Sequence, residues 1–165
     1  MDIVSHGLWG GIAFGRKNRK NFILAFLIGL LPDVLSFGII LAGSILGFFQ
    51  RTDWSGGPPD PALIPSFANH LYNITHSIII FAAVFLIVWI IRKRPWWILG
   101  AWGLHILIDI PSHSYQFFPT PFLWPIADFK FNGISWGSPE IFIPNIILLF
   151  ILYIWFYIAK RKQKA

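Results

Sequence analysis

The chain has 165 residues, of which 56% are apolar, 18% are aromatic and only 12% are charged. Water-soluble domains carry about 25% charged residues, so this composition excludes an ordinary soluble protein and indicates a single integral-membrane domain over residues 1–165. Cysteine is absent, which excludes disulfides, a thiolate nucleophile and any cysteine-ligated metal site.

The formal charge of +6 comes from basic residues in short clusters. These are residues 16–20, 92–94 and 160–164, and each lies next to a long apolar run. Such a pattern is typical of anchors on the cytoplasmic side of a membrane and argues against nucleic acid as a partner. We therefore expect a multi-pass cell-membrane protein with cytoplasmic basic loops and C-terminus. The first cluster follows an apolar stretch instead of preceding it, so the N-terminus does not predict a cleavable signal peptide.

The apolar runs predict an all-α bundle with about four to five membrane helices. Residues 3–15 are shorter than the roughly 20 residues of a straight span, so we expect a short helix whose glycines admit a close neighbour. Residues 22–49 would form a helix about 42 Å long, more than the ~30 Å hydrocarbon core, and we expect it to break at Pro32. Residues 34–50 then either continue outward or turn back.

Two long loops and two further hairpin helices follow. Residues 51–69 are rich in proline and glycine and predict a connecting loop. The apolar run to Ile91 predicts a span, which the short basic turn joins to the next helix as an antiparallel hairpin. Residues 114–140 predict a second loop, long enough for a lid or binding loop, although a place at the lipid interface explains its aromatic residues equally well. Residues 141–159 predict the last span, and both loops are expected outside.

Histidines and aspartates are the notable polar residues of the apolar segments. His105 and Asp109 are four residues apart, so a helix places both on one face, where an imidazole and a carboxylate can bind one cation. Pro111 discourages further helix, so we expect His113 in the turn beyond, folded back towards the same pocket. A buried His/Asp pair that only satisfies its own hydrogen bonds is the alternative explanation.

The depth of each residue in the membrane groups further candidates with His105 and Asp109. Counted from the nearest basic cluster at about 1.5 Å per residue, five residues lie about 15 to 24 Å deep, within a slab roughly 10 Å thick. They are His6, Asp33, His76, His105 and Asp109. Ionisable groups inside a membrane are costly unless they bind something or pair with each other. We expect one or two divalent cations there, zinc first, with manganese or iron as alternatives.

Four motifs are similar to those of a known family. They are Ser5-His6-Gly7, Leu31-Pro32-Asp33, His70 followed by Thr75-His76-Ser77, and Gly103-Leu-His105-Ile-Leu-Ile-Asp109 followed by Phe122-Leu-Trp-Pro125. Over residues 2–125 the chain resembles the predicted membrane-bound metal-dependent hydrolases of bacteria and archaea, which are regarded as distant relatives of zinc-dependent phospholipase C. The resemblance implies a bacterial or archaeal plasma membrane and metal contacts at the five residues of the slab. The chain departs from the family at Leu35 and Ser36, where a second acidic residue is usual.

These observations predict a membrane-embedded metal-dependent hydrolase that cleaves a phosphoester, or another ester, in a lipid or lipid-linked substrate. His113 or His70 would be the catalytic residue that protonates the leaving group. A metal-ion or proton transporter is one alternative, and a structural protein whose His/Asp pairs only hold helices together is another. Serine acyl-enzyme and nucleotide-dependent mechanisms have little support, because no Gly-x-Ser-x-Gly or Walker-type motif is present.

Overall fold

The computed structural model describes residues 1–49 and 64–162, and the regular elements in these ranges are helical. The helices are α1 (Ile3–Phe14), α2 (Arg19–Asp33), α3 (Ile39–Ile45), α4 (Ser66–Thr75), α5 (Ile78–Arg92), α6 (Gly100–Ser112) and α7 (Pro139–Lys162). A π-helical segment, Val34–Gly38, joins α2 to α3, and a 3₁₀ turn, Trp97–Leu99, precedes α6. The predicted all-α class is confirmed.

Fewer helices than expected have the length of a membrane span. Among the described residues, Arg19–Ile45 and Pro139–Lys160 are long and apolar enough to cross a membrane. A third span results if α4 and α5, which meet at an angle of 57°, form one broken crossing. The remaining apolar helices, α1 and Trp97–Ser112, are shorter than a span. Length and composition therefore support two or three crossings in this part of the chain.

The expected break at Pro32 does not occur. The helix runs through Pro32 to Asp33 and continues as the π-helical segment into α3, so the chain does not turn back here. A π-helical turn changes the hydrogen-bonding register, which lets a helix continue past a residue that lacks an N–H. The Pro32 carbonyl oxygen accepts a hydrogen bond from the Ser36 hydroxyl at 2.8 Å. Of the predicted first loop, residues 51–69, residues 51–63 lie outside the described residues, and residues 66–69 are not loop but the first turn of α4.

Glycines allow α1 and α2 to pack with their backbones in contact. A Cβ atom on Gly10 would lie 2.7 Å from the carbonyl oxygen of Ala25, and one on Gly29 would lie 2.6 Å from the carbonyl oxygen of His6. Such distances exclude any side chain at either glycine without a shift of the backbone. The predicted close approach of a neighbouring helix to α1 is confirmed, and α6 adds buried Ala101 to the same apolar core.

The long loop between α6 and α7, residues 113–138, is hydrogen-bonded to the helix ends on the side of Asp109. The Ile78 N–H at the start of α5 donates to the Phe122 carbonyl at 2.9 Å, and the Ile134 N–H donates to the Pro111 carbonyl at 2.9 Å. These bonds tie the loop to α5 and to α6. The loop therefore covers the ends of the helices that carry several of the candidate residues.

A buried polar network joins α7 to α1. The Trp9 indole donates to Asn145 Oδ1 at 2.8 Å, and Asn145 Nδ2 donates to the Ser5 hydroxyl at 2.9 Å. Asn145 is only 4% exposed. The network fixes the rotation of α1 about its axis, and His6 follows Ser5 directly in that helix.

We expect Asn145→Leu to lower the free energy of unfolding by about 1–2 kcal/mol, since a hydrogen bond between membrane helices contributes about 0.6–1.7 kcal/mol and two are lost here. Thermal unfolding in detergent measures the effect. Ile147→Leu, at an exposed position of the same helix, is the matched control and should unfold like the original protein. Identical unfolding of the two variants would show that the network does not hold α7.

Candidate metal centre

Six predicted site residues from four separate parts of the sequence come together at one buried position. They are His6, Asp33, His76, His105, Asp109 and His113. None of them is more than 7% exposed. They are supplied by α1, by the end of α2, by the junction of α4 and α5, and by α6 with the residue that follows it.

Four of these residues surround a single point. Asp33, His76, His105 and Asp109 each offer one ligand atom, and these atoms lie within 4.8 Å of one another. His76 Nε2 is 3.4 Å from Asp33 Oδ1 and 3.4 Å from Asp109 Oδ2, and His105 Nε2 is 3.2 Å from Asp109 Oδ2. A tetrahedral cation with bonds of about 2.1 Å holds its ligand atoms about 3.4 Å apart. The spacing of the four residues therefore fits a small divalent cation.

Hydrogen bonds at the other ring nitrogen decide which nitrogen faces this point. His105 Nδ1 lies 2.6 Å from the Gly29 carbonyl oxygen, which can only accept, so Nδ1 carries the proton and Nε2 carries the lone pair. His76 Nδ1 lies 2.9 Å from the Thr75 hydroxyl and 3.2 Å from the Tyr72 carbonyl oxygen, which assigns the same tautomer. When both rings are neutral, two lone pairs face each other, since the Nε2 atoms are 3.0 Å apart. A shared cation removes this repulsion.

The Asp109 carboxylate gives a second test of whether these residues fit a metal ion. Its side chain is fully buried, and Oδ2 has no hydrogen-bond partner among the described residues. Oδ2 is also the oxygen that faces the Nε2 atoms of His76 and His105. A buried carboxylate oxygen without a donor is costly, and a positive ion offsets that cost. The residues present therefore fit a metal ion at this point.

The other oxygen of Asp109 faces the two remaining histidines. Oδ1 is 2.9 Å from His6 Nε2 and 3.4 Å from His113 Nε2, and it accepts a hydrogen bond from the Met1 amino group. His113 Nδ1 lies 3.0 Å from the Phe118 carbonyl oxygen, so its Nε2 is free of the N–H and faces Asp109. His6 and His113 therefore lie beside the four-residue set, and Asp109 connects the two groups. The predicted return of His113 towards the pocket is seen.

His70 is not brought to the cluster. It is exposed on α4, and its Nδ1 hydrogen-bonds to the Ser66 carbonyl oxygen at 2.9 Å, one turn earlier in the same helix. Six positions along a helix correspond to a rotation of about 240°, so His70 and His76 leave the chain in different directions. The geometry gives no support to His70 as a catalytic residue.

Two residues around the cluster were not singled out from the sequence. The Gly29 carbonyl orients His105, and the Tyr72 ring stacks on His76 with centroids 3.9 Å apart. The Tyr72 hydroxyl also donates to the Phe118 carbonyl, which ties the loop to α4. Gly29 precedes Asp33 by four residues, and Tyr72 precedes His76 by four. The available signal in the sequence was that each of these residues lies one helical turn before a residue of the cluster. This signal is weak because any helix contains many pairs with that spacing.

The fold and the site define an all-helical membrane protein with a buried His/Asp cluster of a composition able to hold a metal ion. Residues 1–165, the whole chain, match the model of a family described as YdjM inner membrane protein, and the chain belongs to that family. No curated protein and no solved structure matches it. Family membership and the apolar helices together support the predicted location in a bacterial membrane.

Proposed function

We propose that this protein is a membrane-embedded metal-dependent hydrolase that cleaves a phosphoester, or another ester, in a lipid or lipid-linked substrate. One observation carries the proposal: the Nε2 atoms of His76 and His105 lie 3.0 Å apart between the carboxylates of Asp33 and Asp109. A set of imidazoles and carboxylates suits zinc, with manganese or iron as alternatives. When bound, the ion supplies the Lewis acidity that activates water and polarises an ester. The motif resemblance to metal-dependent hydrolases also supports this reaction class.

The histidines beside the four-residue set favour a catalytic site over a structural one. A structural metal site is complete with its ligands, whereas here His6 and His113 add two more imidazoles at Asp109 Oδ1. His113 is held by the Phe118 carbonyl through Nδ1, and its Nε2, which lies 3.1 Å from the Met1 amino group, is the nitrogen that would accept and return a proton. We assign His113 as the residue that protonates the leaving group. His6 then keeps the Asp109 carboxylate in position.

Access to the cluster is open only at its edge. The side chains of Asp33 and His113 are each 8% exposed, whereas the other four side chains of the cluster are 0% exposed. Next to Asp33, Leu31 and Val34 lie exposed on the apolar surface of the helix. A lipid can reach Asp33 along this surface without leaving the bilayer, which supports a lipid or lipid-linked substrate. The basic clusters lie at the other ends of the bundle's long helices, the N-terminus of α2 and the C-terminus of α7. They favour the cytoplasm for those ends.

The packing on the basic side of the cluster supports a hydrolase over a transporter. A transporter needs a polar route on both sides of its binding site. Between the cluster and the basic end of the bundle, buried Ala25, Ile98 and Ala101 pack with Phe14 and Ile28 into an apolar layer. Such an apolar layer is unfavourable for the passage of ions.

Metal analysis combined with a hydrolysis assay tests the proposal. We expect a divalent cation to co-purify with the full-length protein, and His105→Ala to lose most of it, because the variant removes one of four ligands. The metal-loaded protein should hydrolyse a member of a panel of phospholipids and lipid-linked phosphates, and a chelator should stop the reaction. Elemental analysis and product release are the two measurements.

His70→Ala is the matched control, since it removes an exposed imidazole outside the cluster and should retain the metal. Full metal content in His105→Ala would remove the proposed site. Ion flux into reconstituted vesicles without hydrolysis of any ester in the panel would replace the hydrolase with a transporter.

A further inference from the structure

A second feature lies at the basic end of the bundle, away from the His/Asp cluster. It is a cavity of about 370 Å³ between the turn that joins α1 to α2 and the C-terminal part of α7. Its basic lining residues are Arg16, Arg19 and Lys160, and its aromatic ones include Phe22, Tyr153 and Phe156. Ligand sites in proteins have volumes of about 300–1,000 Å³, so the cavity is large enough for a small polar group.

Specific contacts build the walls of this cavity. The Tyr153 hydroxyl donates to the Leu8 carbonyl at 2.9 Å, which joins α7 to α1. The edge of the Phe22 ring packs on the Tyr153 ring, with centroids 6.3 Å apart, which joins α7 to α2. Gly15 keeps the connecting turn tight, since a Cβ atom there would lie 2.4 Å from Phe22 Cα. The cavity is therefore a consequence of how the three helices pack.

The positive charge at this cavity is not compensated. None of Arg16, Arg19 and Lys160 forms an ion pair with an acidic side chain in the described part of the chain, and the lining contains no acidic residue. Lys160 Nζ lies over the Phe156 ring, 5.8 Å from its centroid, which holds this ammonium near the aromatic wall. Three unpaired cations around one concave surface attract a phosphate group, which guanidinium groups bind with two parallel hydrogen bonds.

The position of the cavity along the helices identifies the source of the phosphate. It lies where the two candidate spans, Arg19–Ile45 and Pro139–Lys160, have their basic ends, which is the level of lipid headgroups. Beyond it, towards the bilayer, exposed apolar side chains such as Ile23 and Ile154 continue along both spans. We propose that this cavity binds the phosphate headgroup of an anionic phospholipid, with the acyl chains lying along α2 and α7. The site is separate from the proposed hydrolase centre.

Lipid binding to the full-length protein tests this proposal. The probe is phosphatidylglycerol, titrated against phosphatidylcholine in nanodiscs and counted by native mass spectrometry. The cavity variant combines Arg16→Gln, Arg19→Gln and Lys160→Gln. The charge-matched control combines Lys17→Gln, Lys20→Gln and Lys93→Gln. It also removes three positive charges, but from residues that do not line the cavity. We expect the cavity variant to lose about tenfold or more in phosphatidylglycerol affinity and the control less than about threefold.

Three results would overturn the proposal. Equal losses in the two variants would reduce the binding to a diffuse attraction between basic residues and an anionic surface. Equal binding of phosphatidylglycerol and phosphatidylcholine would remove the charge recognition. Displacement of the lipid by inorganic phosphate at equal concentration would make the site one for the free anion. If the triple variant does not fold, Arg16→Gln and Lys17→Gln form the corresponding single pair.

Discussion

Asp109→Asn is expected to abolish metal retention and hydrolysis while the protein stays folded. Asp109 is the residue that every histidine of the cluster approaches: His6 and His113 at Oδ1, and His76 and His105 at Oδ2, at 2.9–3.4 Å. Asparagine has nearly the same shape, so packing is kept, but it removes the negative charge. Its NH₂ group can also donate to the Nε2 lone pairs, which satisfies the site without an ion.

The loss of metal affinity in Asp109→Asn should be at least about a hundredfold, because even partners outside the ligand set contribute about 10- to 100-fold. Elemental analysis after gel filtration and the hydrolysis rate measure the effect. Asp33→Asn should cost less, since among the described residues Asp33 approaches two histidines, His76 and His105, instead of four. Asp128→Asn, at an exposed loop position, is the control and should behave like the original protein. Normal metal content in Asp109→Asn would contradict the role of this carboxylate.

Gly29→Ala is expected to destabilise the bundle and weaken metal binding together. The new methyl group would lie 2.6 Å from the His6 carbonyl oxygen and 3.3 Å from Gly7 Cα, so α1 has to move away from α2. The same change displaces the carbonyl that orients His105. Overpacking of this kind costs about 1–3 kcal/mol, and a lost orienting bond lowers metal affinity about 10-fold or more.

Thermal unfolding and metal titration on the same preparations separate the two effects of Gly29→Ala. Gly38→Ala is the matched control, because Gly38 lies on the same continuous helix and its new methyl group would meet only the Val34 side chain, at 3.2 Å. We expect little change in either measurement for the control. If Gly29→Ala unfolded and bound metal like Gly38→Ala, the close contact of α1 and α2 would not be what positions the histidines.

The part of the site that follows from local spacing could be predicted from the sequence. His105 and Asp109 share a helix face because they are four residues apart, and His113 follows the end of that helix. The meeting of the other residues could also be predicted, because helical rise measured from the basic clusters is a one-dimensional quantity. Their roles as metal ligands stay a prediction.

The features that depend on tertiary contacts could not be predicted in this way. Pro32 suggested a break, but the helix continues through a π-helical turn, and the Ser36 hydroxyl that bonds to the Pro32 carbonyl also contacts the Thr75 hydroxyl at 3.0 Å. Trp97–Ser112 is shorter than a membrane span and α6 packs on α1 and α2, which its apolar run alone does not indicate. His70 was included because it belongs to the motif that continues to Thr75-His76-Ser77, but it is exposed on α4 and does not reach the cluster.

The order in which the cluster residues occur along the chain has a consequence for biogenesis. Asp33 and His76 lie early in the sequence, whereas His105 and Asp109 belong to α6, so the coordination sphere cannot close until α6 has docked on α1 and α2. In the proposed metalloprotein, insertion into the bilayer therefore precedes loading of the ion. The ion then arrives at an assembled apoprotein, past Asp33 and His113, the two cluster side chains that reach the surface. In the proposed enzyme, the passage that admits the substrate would first have admitted the metal.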